Sequence, residues 1–287
     1  MIIRRNVVVS EDDNRYSKKF VNPVIPDGYR HVTGTDWKTG FQIERITDGS
    51  LFEFVPVGCL KSNGTLDGTN FNEKFGRRRF YPDNSDELGE EPIHGTMNLL
   101  WNQLQSVREY GGFYVSCAIS RSKALKPISI PGRQPWTMVD FDHAMYLARN
   151  FEPKKDFSSH LLFGAEYDSI LEWLIESGKM TSQEVTEQCD CISYGRIYDG
   201  NIMGFGTIAE WTQEKAIKGT KAKPAVRGTT LKMDGTTNPL AWRQETQKYI
   251  KRPYIGFRVA LFIPIVWCHK LSPWCTRGFA ILFILIL

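Results

Sequence analysis

The alternation of hydrophobic and polar residues predicts strands towards both ends of the chain and helices in its middle. Near the N-terminus, two strand-like runs at 35–46 and 51–57 are separated by Asp48-Gly49, a dipeptide typical of tight hairpin turns. We therefore predict a β-hairpin in this region. Residues 61–91 show no period and are rich in Gly, Asn, Asp and Arg, which predicts a long surface insertion.

Three helices are predicted after this insertion. The first ends at Gly111-Gly112 and has its hydrophobic positions at helical spacing, namely Met97, Leu100, Leu104 and Val107. The second begins after Trp136 and has a hydrophobic side formed by Ala144, Leu147, Ala148 and Phe151. The third covers about 165–178, and Thr181 with Glu184 has the pattern of a capping box for one further turn.

From Cys189 onward the chain consists of short segments that are interrupted by glycine and contain tryptophan and tyrosine. This pattern predicts irregular loops on a few strands. Helices in the middle, strands on either side and a loop-rich C-terminal half together predict an α+β fold. No internal repeat is present.

Three segments of the second half, 208–212, 226–228 and 255–261, combine an apolar body with a single charge. Because a buried ion is costly unless it is paired, the charges of these segments are expected to find partners inside the core. Glu210 lies beside Trp211, and Arg258 follows Gly256 and Phe257. We interpret these residues, with Arg227, as scaffold rather than as an active site.

Composition supports a folded domain, since the 287-residue chain is 41% hydrophobic and 13% aromatic. The net charge is only +4, and the two basic clusters, 77–79 and 215–223, are short enough to be solvated loops. We therefore predict no nucleic-acid binding. Acidic residues at 11–13 interrupt the N-terminal segment before an apolar signal region forms, so synthesis in the cytoplasm without a secretory signal is expected.

The six cysteines are expected to be reduced thiols, because a disulfide framework has little support without an export signal. Cys189-Asp190-Cys191 offers two thiolates to a soft metal, but no histidine or second cysteine pair lies nearby. An ordinary loop is the favoured interpretation. His143 is expected on a helix surface, and Asp140 and Asp142 at the start of that helix.

The C-terminal segment 264–287 is strongly apolar, but prolines and charged residues interrupt it. Its uninterrupted run, 278–287, is shorter than the roughly 18 residues needed to cross a bilayer, so no membrane span is predicted. A misread or frameshifted terminus explains this tail as well as a function does. The alternatives are a peptide that docks on a partner and a weak membrane anchor.

Taken in order, 159–168, 208–212, 226–228 and 255–261 resemble the formylglycine-generating-enzyme (sulfatase-modifying factor) family, whose corresponding stretches read RLPTEAEWE, GNVWEW, RGGSW and GFR. Two earlier segments, Phe52-Glu53-Phe54-Val55-Pro56-Val57-Gly58 and Gly111-Gly112-Phe113-Tyr114-Val115-Ser116, resemble strands of prophage-type members. The resemblance implies a C-type-lectin-like fold over 22–263, preceded by a flexible arm, 1–21, and followed by the apolar tail.

The family's enzymes use a cysteine pair before the last strand to hold copper and oxidise a substrate cysteine. The matching stretch here, 242–254, contains no cysteine, and Cys268 and Cys275 come after the GFR-type strand. We therefore do not expect catalysis of this type, although a divergent oxidase remains an alternative. The resemblance also raises a calcium site using Asp199 or Asn201, and no other cofactor is expected.

The resemblance implies a non-catalytic ligand-binding or display protein of a bacteriophage or prophage, associated with the virion or tail and contacting a host-surface protein or glycan. In some relatives, diversity-generating retroelements vary the loop before the last strand. In this chain the corresponding segment is 231–254, and its candidate ligand-binding residues are Trp242, Arg243, Gln244 and Tyr249. A structural virion subunit is a further alternative.

Overall fold

A computed structural model describes residues 7–9, 18–20, 23–36, 40–57, 59–60, 66–67, 87–90, 102–103, 106–107, 110–152, 158–187, 189–190, 204–206, 208–218, 221–229 and 236–263. The strands of these regions, in chain order, are β1 (Val7–Val9), β2 (Lys18–Phe20), β3 (Tyr29–His31), β4 (Gln42–Arg45), β5 (Leu51–Pro56), β6 (Cys59–Leu60), β7 (Leu66–Asp67), β8 (Glu87–Glu90), β9 (Gly112–Ser116), β10 (Ser120–Arg121), β11 (Pro127–Ile128), β12 (Ser158–Leu161), β13 (Cys189–Asp190), β14 (Ala209–Lys218), β15 (Lys221–Arg227), β16 (Thr236–Thr237), β17 (Arg243–Glu245), β18 (Ile255–Phe257) and β19 (Val259–Phe262). The helices are α1 (Phe141–Arg149), α2 (Gly164–Glu176) and α3 (Ser182–Thr186).

A six-stranded antiparallel sheet forms the centre of the fold, with the strand order β12-β19-β9-β5-β4-β3. The predicted hairpin is confirmed within it: β4 and β5 pair antiparallel, with Ile43 opposite Phe52, and Gly49 has a φ of +72° in the turn. A positive φ is easily adopted by glycine, which explains the turn signal in the sequence.

Both faces of this sheet are buried at its middle strands β5, β9 and β19. Phe52 and Phe54 of β5 belong to one hydrophobic cluster, which includes the inward side of α1, whereas Val55 belongs to a second cluster around α2. Since successive side chains of a strand point to opposite faces, burial on both sides requires nearly continuous apolar runs. The segments 52–57 and 259–263 therefore lack the clean alternation of a half-exposed strand.

A second sheet has the strand order β17-β15-β14-β18, and β8 pairs with β14 beside this path. Strands β14 and β15 form a long antiparallel pair, whereas β18 runs parallel to β14. Residues 215–218 and 221–223 of the lysine-rich segment therefore lie in two strands, and the interpretation of this segment as a solvated loop was wrong. Strand pairing through the backbone does not need apolar side chains, so the charge pattern concealed it. Likewise, 87–90 is a strand within the predicted insertion.

Four short pairs complete the described strands: β1 with β2, β6 with β7, β10 with β11, and β13 with β16. The first of these pairs falls in the segment 1–21 that we expected to be a flexible arm. The predicted apolar tail, 264–287, lies outside the described residues, as does the basic cluster 77–79.

The three helices follow the sequence pattern closely. In α1, Ala144, Leu147 and Ala148 are buried, and the Asp140 side chain accepts a hydrogen bond from the backbone N–H of His143 at the N-terminus. The predicted capping box of Thr181 and Glu184 starts α3. Of the first predicted helix, residues 102–103, 106–107 and 110 are described and helical, whereas Met97, Leu100 and Leu104 lie outside the described residues.

Mixed helix and sheet, with more sheet than helix, confirm the predicted α+β class. The helices lie on opposite sides of the central sheet, since α1 packs beside β12 and α2 contacts β5 and β14. Among the residues that the structure describes, no helix is both long and apolar enough to cross a membrane.

Replacing Asp140 with alanine should lower the free energy of unfolding by about 1 kcal/mol, because it removes the cap of α1. Asp140→Asn keeps a side-chain acceptor and should lower it less. Chemical denaturation of both variants measures the difference, with Asp142→Ala as the control, since Asp142 lies in the same turn without the capping bond. Equal stabilities of Asp140→Ala and Asp142→Ala would contradict this role.

Candidate ligand-binding surface

A buried ion pair lies where the chain passes from the second sheet into the central sheet. Strands β18 and β19 are consecutive but belong to different sheets, and Arg258 is the residue between them. Its Nε donates to Oε1 of Glu210 on β14 at 2.7 Å, and its Nη1 donates to the carbonyl oxygen of Ser116 on β9 at 2.9 Å. Both charged side chains are buried. One arginine therefore connects strands of both sheets.

Arg227 forms a second buried cluster of charges. Its Nη1 donates to Glu214 and its Nη2 donates to Asp168 of α2, both at 2.8 Å. The other carboxylate oxygen of Glu214 accepts from Nη1 of Arg243 at 3.1 Å. Two arginines thus face two carboxylates, so this cluster is neutral overall and links α2, β14, β15 and β17.

Two aromatic rings connect these clusters. The Arg227 guanidinium lies 4.5 Å from the ring centroid of Tyr167, which is 4.8 Å from the centroid of Phe205. The Arg258 guanidinium lies 5.0 Å from the centroid of the Phe205 ring. Cations over aromatic faces are favourable, most strongly where water is excluded. The ring pair therefore stabilises both arginines within one continuous core.

Burial and pairing shift the pKa values in this core. Desolvation raises the pKa of Glu210, and the attraction of Arg258 offsets this only in part. For Arg227, desolvation opposes the charge, but Glu214 and Asp168 outweigh it, so the pKa of the guanidinium is raised. Each of the three arginines contacts a carboxylate, which is the pairing that the sequence context of Glu210 and Arg258 predicts. This arrangement is that of a scaffold.

A buried histidine and glutamate form a pair that the sequence did not reveal. His160 Nε2 lies 2.9 Å from Oε1 of Glu166, whose Oε2 accepts from the backbone N–H of Phe163 at 2.8 Å; Gln103 also contacts this carboxylate. The strand β12 and the start of α2 bring these residues together. Their separation in the sequence matches no known spacing, so no pattern could have indicated the contact.

Two exposed tyrosines lie elsewhere, in the loop 246–254 that precedes β18. Tyr249 is 70% exposed and Tyr254 is 45% exposed, while Met138, on the segment before α1, is 55% exposed. Trp136 on the same segment is half-buried and packs edge-to-face against His143. We call these four residues, Trp136, Met138, Tyr249 and Tyr254, the loop face.

Backbone hydrogen bonds join the two segments of the loop face. The N–H of Met138 donates to the carbonyl of Arg252 at 3.1 Å, and the N–H of Phe141 donates to the carbonyl of Lys248 at 2.9 Å. Met138 has a φ of +59°, a left-handed conformation that is rare for a residue with a long side chain and that often marks functional sites.

Two exposed ion pairs lie beside these backbone bonds. Lys248 pairs with Asp142, and Lys251 pairs with Asp140, each at 3.2 Å. Partial burial opposes the charge of Asp140, but the His143 N–H and Lys251 outweigh it, so the pKa of Asp140 is lowered. The acidic residues at the start of α1 thus neutralise the lysines of the loop.

The motif residues of the scaffold support the loop face directly. The indole N–H of Trp211 donates to the backbone carbonyl of Val139 at 3.0 Å. The backbone carbonyl of Tyr254 accepts from the backbone N–H of Ala209 at 3.0 Å. A Cβ added at Gly256 would lie 3.3 Å from the carbonyl oxygen of Trp136 and closer still to Ile208. Any larger residue at Gly256 would therefore displace the Ile208 side chain and crowd the Trp136 carbonyl.

The four predicted ligand-binding residues differ in how exposed they are. Tyr249 and Gln244 are exposed and Trp242 is half-buried. The side chain of Arg243 is only 3% exposed and pairs with Glu214, so its geometry favours the scaffold over ligand contact. Arg243 and Gln244 belong to β17 rather than to a loop. Of the loop face, only Tyr249 was among the candidates from the sequence; Trp136, Met138 and Tyr254 were not.

The calcium candidates Asp199 and Asn201 lie outside the described residues, as do Cys191, Cys268 and Cys275. Within the described part of the chain, no group of three His, Cys, Asp or Glu residues is arranged to hold a metal ion. Cys117 is buried next to Ser129, and burial raises the pKa of its thiol.

Comparisons of the chain with protein-family models, with curated proteins and with solved structures found no match.

Arg258→Ala should lower the free energy of unfolding by more than about 2 kcal/mol, because it leaves Glu210 buried without its cation. Chemical denaturation measures this loss. The matched control is Arg30→Ala, which removes an exposed arginine paired with Glu44 and should change stability by less than about 1 kcal/mol. A Glu210→Leu/Arg258→Met variant should be more stable than Arg258→Ala. An unchanged unfolding transition in Arg258→Ala would refute the structural role.

Glu210→Gln should change how stability depends on pH. Since the pKa of Glu210 is higher in the folded protein than its ordinary value of 4.5, the folded state binds the proton more tightly than the unfolded chain. The contribution of Glu210 is therefore most favourable below that ordinary value and declines as pH rises through the folded pKa. As pH rises across this window, the stability difference between Glu210→Gln and the parent protein should move in favour of the variant, whatever the constant cost of leaving Arg258 without its carboxylate. Parallel pH profiles in denaturation experiments would contradict the shift.

Proposed function

We propose that this protein is a non-catalytic ligand-binding or display protein on a C-type-lectin-like scaffold of the formylglycine-generating type. Its proposed setting is the tail or virion of a bacteriophage or prophage, where the loop face contacts a host-surface protein or glycan. The observation that carries the proposal is the exposure of Tyr249, Tyr254 and Met138 together on a surface whose backbone is fixed by the core.

Exposed aromatic side chains are favourable contact residues. They bring a large, rigid surface to a partner and lose little conformational entropy on binding. In this protein they lie on two segments, 136–138 and 249–254, that are distant in sequence and are joined by hydrogen bonds. A preorganised surface of this kind avoids part of the entropic cost of binding.

The scaffold part of the proposal is supported by the positions of the motif residues. The buried core contains all five motif residues, namely Glu210, Trp211, Arg227, Gly256 and Arg258. They lie on or next to strands that pair with one another, and Trp211 also donates to Val139, next to the loop face. Residues that stabilise the core have a role whether or not a catalytic cysteine pair is present. The loop 246–254 occupies the place before the last strands that the resemblance assigns to ligand contact.

Two other functions make different predictions. A divergent oxidase would bind copper and consume oxygen in the presence of a cysteine-containing peptide. A structural virion subunit would assemble with virion proteins and show no affinity for a host surface. The exposed tyrosines favour ligand contact over either alternative, since neither oxidase chemistry nor the stability of the core uses them.

The proposal predicts that the full chain, labelled with a fluorophore, binds intact cells of some strains in a bacterial panel. The variant Tyr249→Ala/Tyr254→Ala should reduce this binding at least about tenfold. Flow cytometry measures the binding, and circular dichroism checks the fold of each variant.

Tyr146→Ala is the matched control, because Tyr146 is 64% exposed on α1 outside the loop face. It should bind cells as the parent protein does. If no strain binds the protein, or if both variants bind equally well, the proposed contact surface is wrong. Oxygen consumption with copper would instead support the oxidase.

A further inference from the structure

The hairpin next to the loop face is strongly basic. No Asp or Glu occurs between Glu109 and Asp140 in the sequence. The exposed cations of this stretch lie on the hairpin β10–β11, its turn and the following turn; they are Arg121, Lys123, Lys126 and Arg133. The strands of the hairpin pair with Arg121 opposite Pro127. Across the turn, the backbone N–H of Ser122 donates to the backbone carbonyl of Lys126.

This hairpin is attached to the loop face. Ser120 forms a bridge with Pro135, and the N–H of Trp136 donates to the carbonyl of Ile119 at 2.6 Å. The Arg121 guanidinium lies 5.6 Å from the centroid of the Trp136 ring. On the other side, the carbonyl of Arg252 accepts from Met138. The basic hairpin and the loop face therefore form one continuous surface.

The charges of this surface are unevenly distributed. Lys248 and Lys251, next to Tyr249, are neutralised by Asp142 and Asp140. In contrast, Arg121, Lys123, Lys126, Arg133 and Arg252 are exposed and make no salt bridge with any residue that the structure describes. The aromatic part thus has two of its cations paired and one, Arg252, without a salt bridge, whereas the four cations of the hairpin and the following turn all lack one.

We propose that this combined surface binds an acidic polysaccharide, whose sugar rings contact the loop face and whose carboxylate or phosphate groups contact the basic hairpin. The inference rests on the proposed ligand-binding function and names the chemistry of the ligand. Positive charge next to exposed aromatic rings is complementary to a polymer that is anionic in part and has flat apolar ring faces.

The pairing of charges favours a polysaccharide over a nucleic acid. A single-stranded nucleic acid carries a phosphate at every residue, and proteins that bind it place cations beside each stacking ring. Here the lysines next to Tyr249 are already paired with Asp140 and Asp142, so they are not available to phosphates. An acidic glycan with spaced charges needs cations only at the hairpin.

The test is binding of the full chain to an array of bacterial glycans, in which members with carboxylate or phosphate groups are matched with uncharged members. Binding should be confined to acidic members and should weaken as salt concentration increases. The variant Lys123→Gln/Lys126→Gln should lose about tenfold in affinity. Tyr249→Ala/Tyr254→Ala should also lose affinity but should keep the salt dependence of the parent protein.

The control variant Arg30→Gln/Arg149→Gln removes two exposed cations on β3 and in the last turn of α1, and it should bind as the parent protein does. Binding to uncharged glycans only, to no glycan, or more tightly to oligothymidylate or polyglutamate would overturn the inference. Cell binding that depends on the tyrosines but not on the lysines would leave the proposed function intact and refute only the acidic ligand. Loss of both dependences would refute both.

Discussion

The contact on which the rest of the structure depends is the buried ion pair between Arg258 and Glu210. Arg258 lies at the single residue that separates β18 from β19, where the chain leaves one sheet and enters the other. A buried charge without a partner is far more costly than a buried pair, so the pair favours the one arrangement of strands that satisfies both groups. The Arg227 cluster does the same between α2 and the second sheet, and the rings of Tyr167 and Phe205 join the two.

This core determines where the exposed residues lie. Strand β18 follows directly after the loop 246–254, and the hydrogen bonds of Trp211 and Ala209 connect β14 to Val139 and Tyr254. The loop face is therefore built on backbone that the ion pairs hold in register. Rigid strands support an exposed surface with an aromatic part and a basic hairpin, and this division of roles is the physical basis for proposing ligand binding rather than chemistry.

Much of the fold was predictable from local signals, whereas the surface was not. The turn at Asp48-Gly49, the cap at Asp140 and the box at Thr181 and Glu184 are short-range patterns whose physics does not depend on the rest of the chain. The strands of 215–223 were missed because backbone pairing leaves no trace in a lysine-rich sequence. Of the loop face, only Tyr249 was among the candidates from the sequence, because Trp136 and Met138 meet the loop through long-range hydrogen bonds. The burial of Arg243 was not predictable either, because it depends on a partner on another strand.

The most direct test of the central claim is native-state hydrogen exchange at the amides of Met138 and Phe141, which donate to carbonyls of the loop 246–254. If the buried pair fixes the loop face, both amides should be protected in the parent protein, as should the buried amide of Val259, which donates to the Ser116 hydroxyl. In Arg258→Ala their protection should fall together with that of Val259. Exchange of Met138 and Phe141 at the rate of an unstructured peptide in the parent protein would contradict the account.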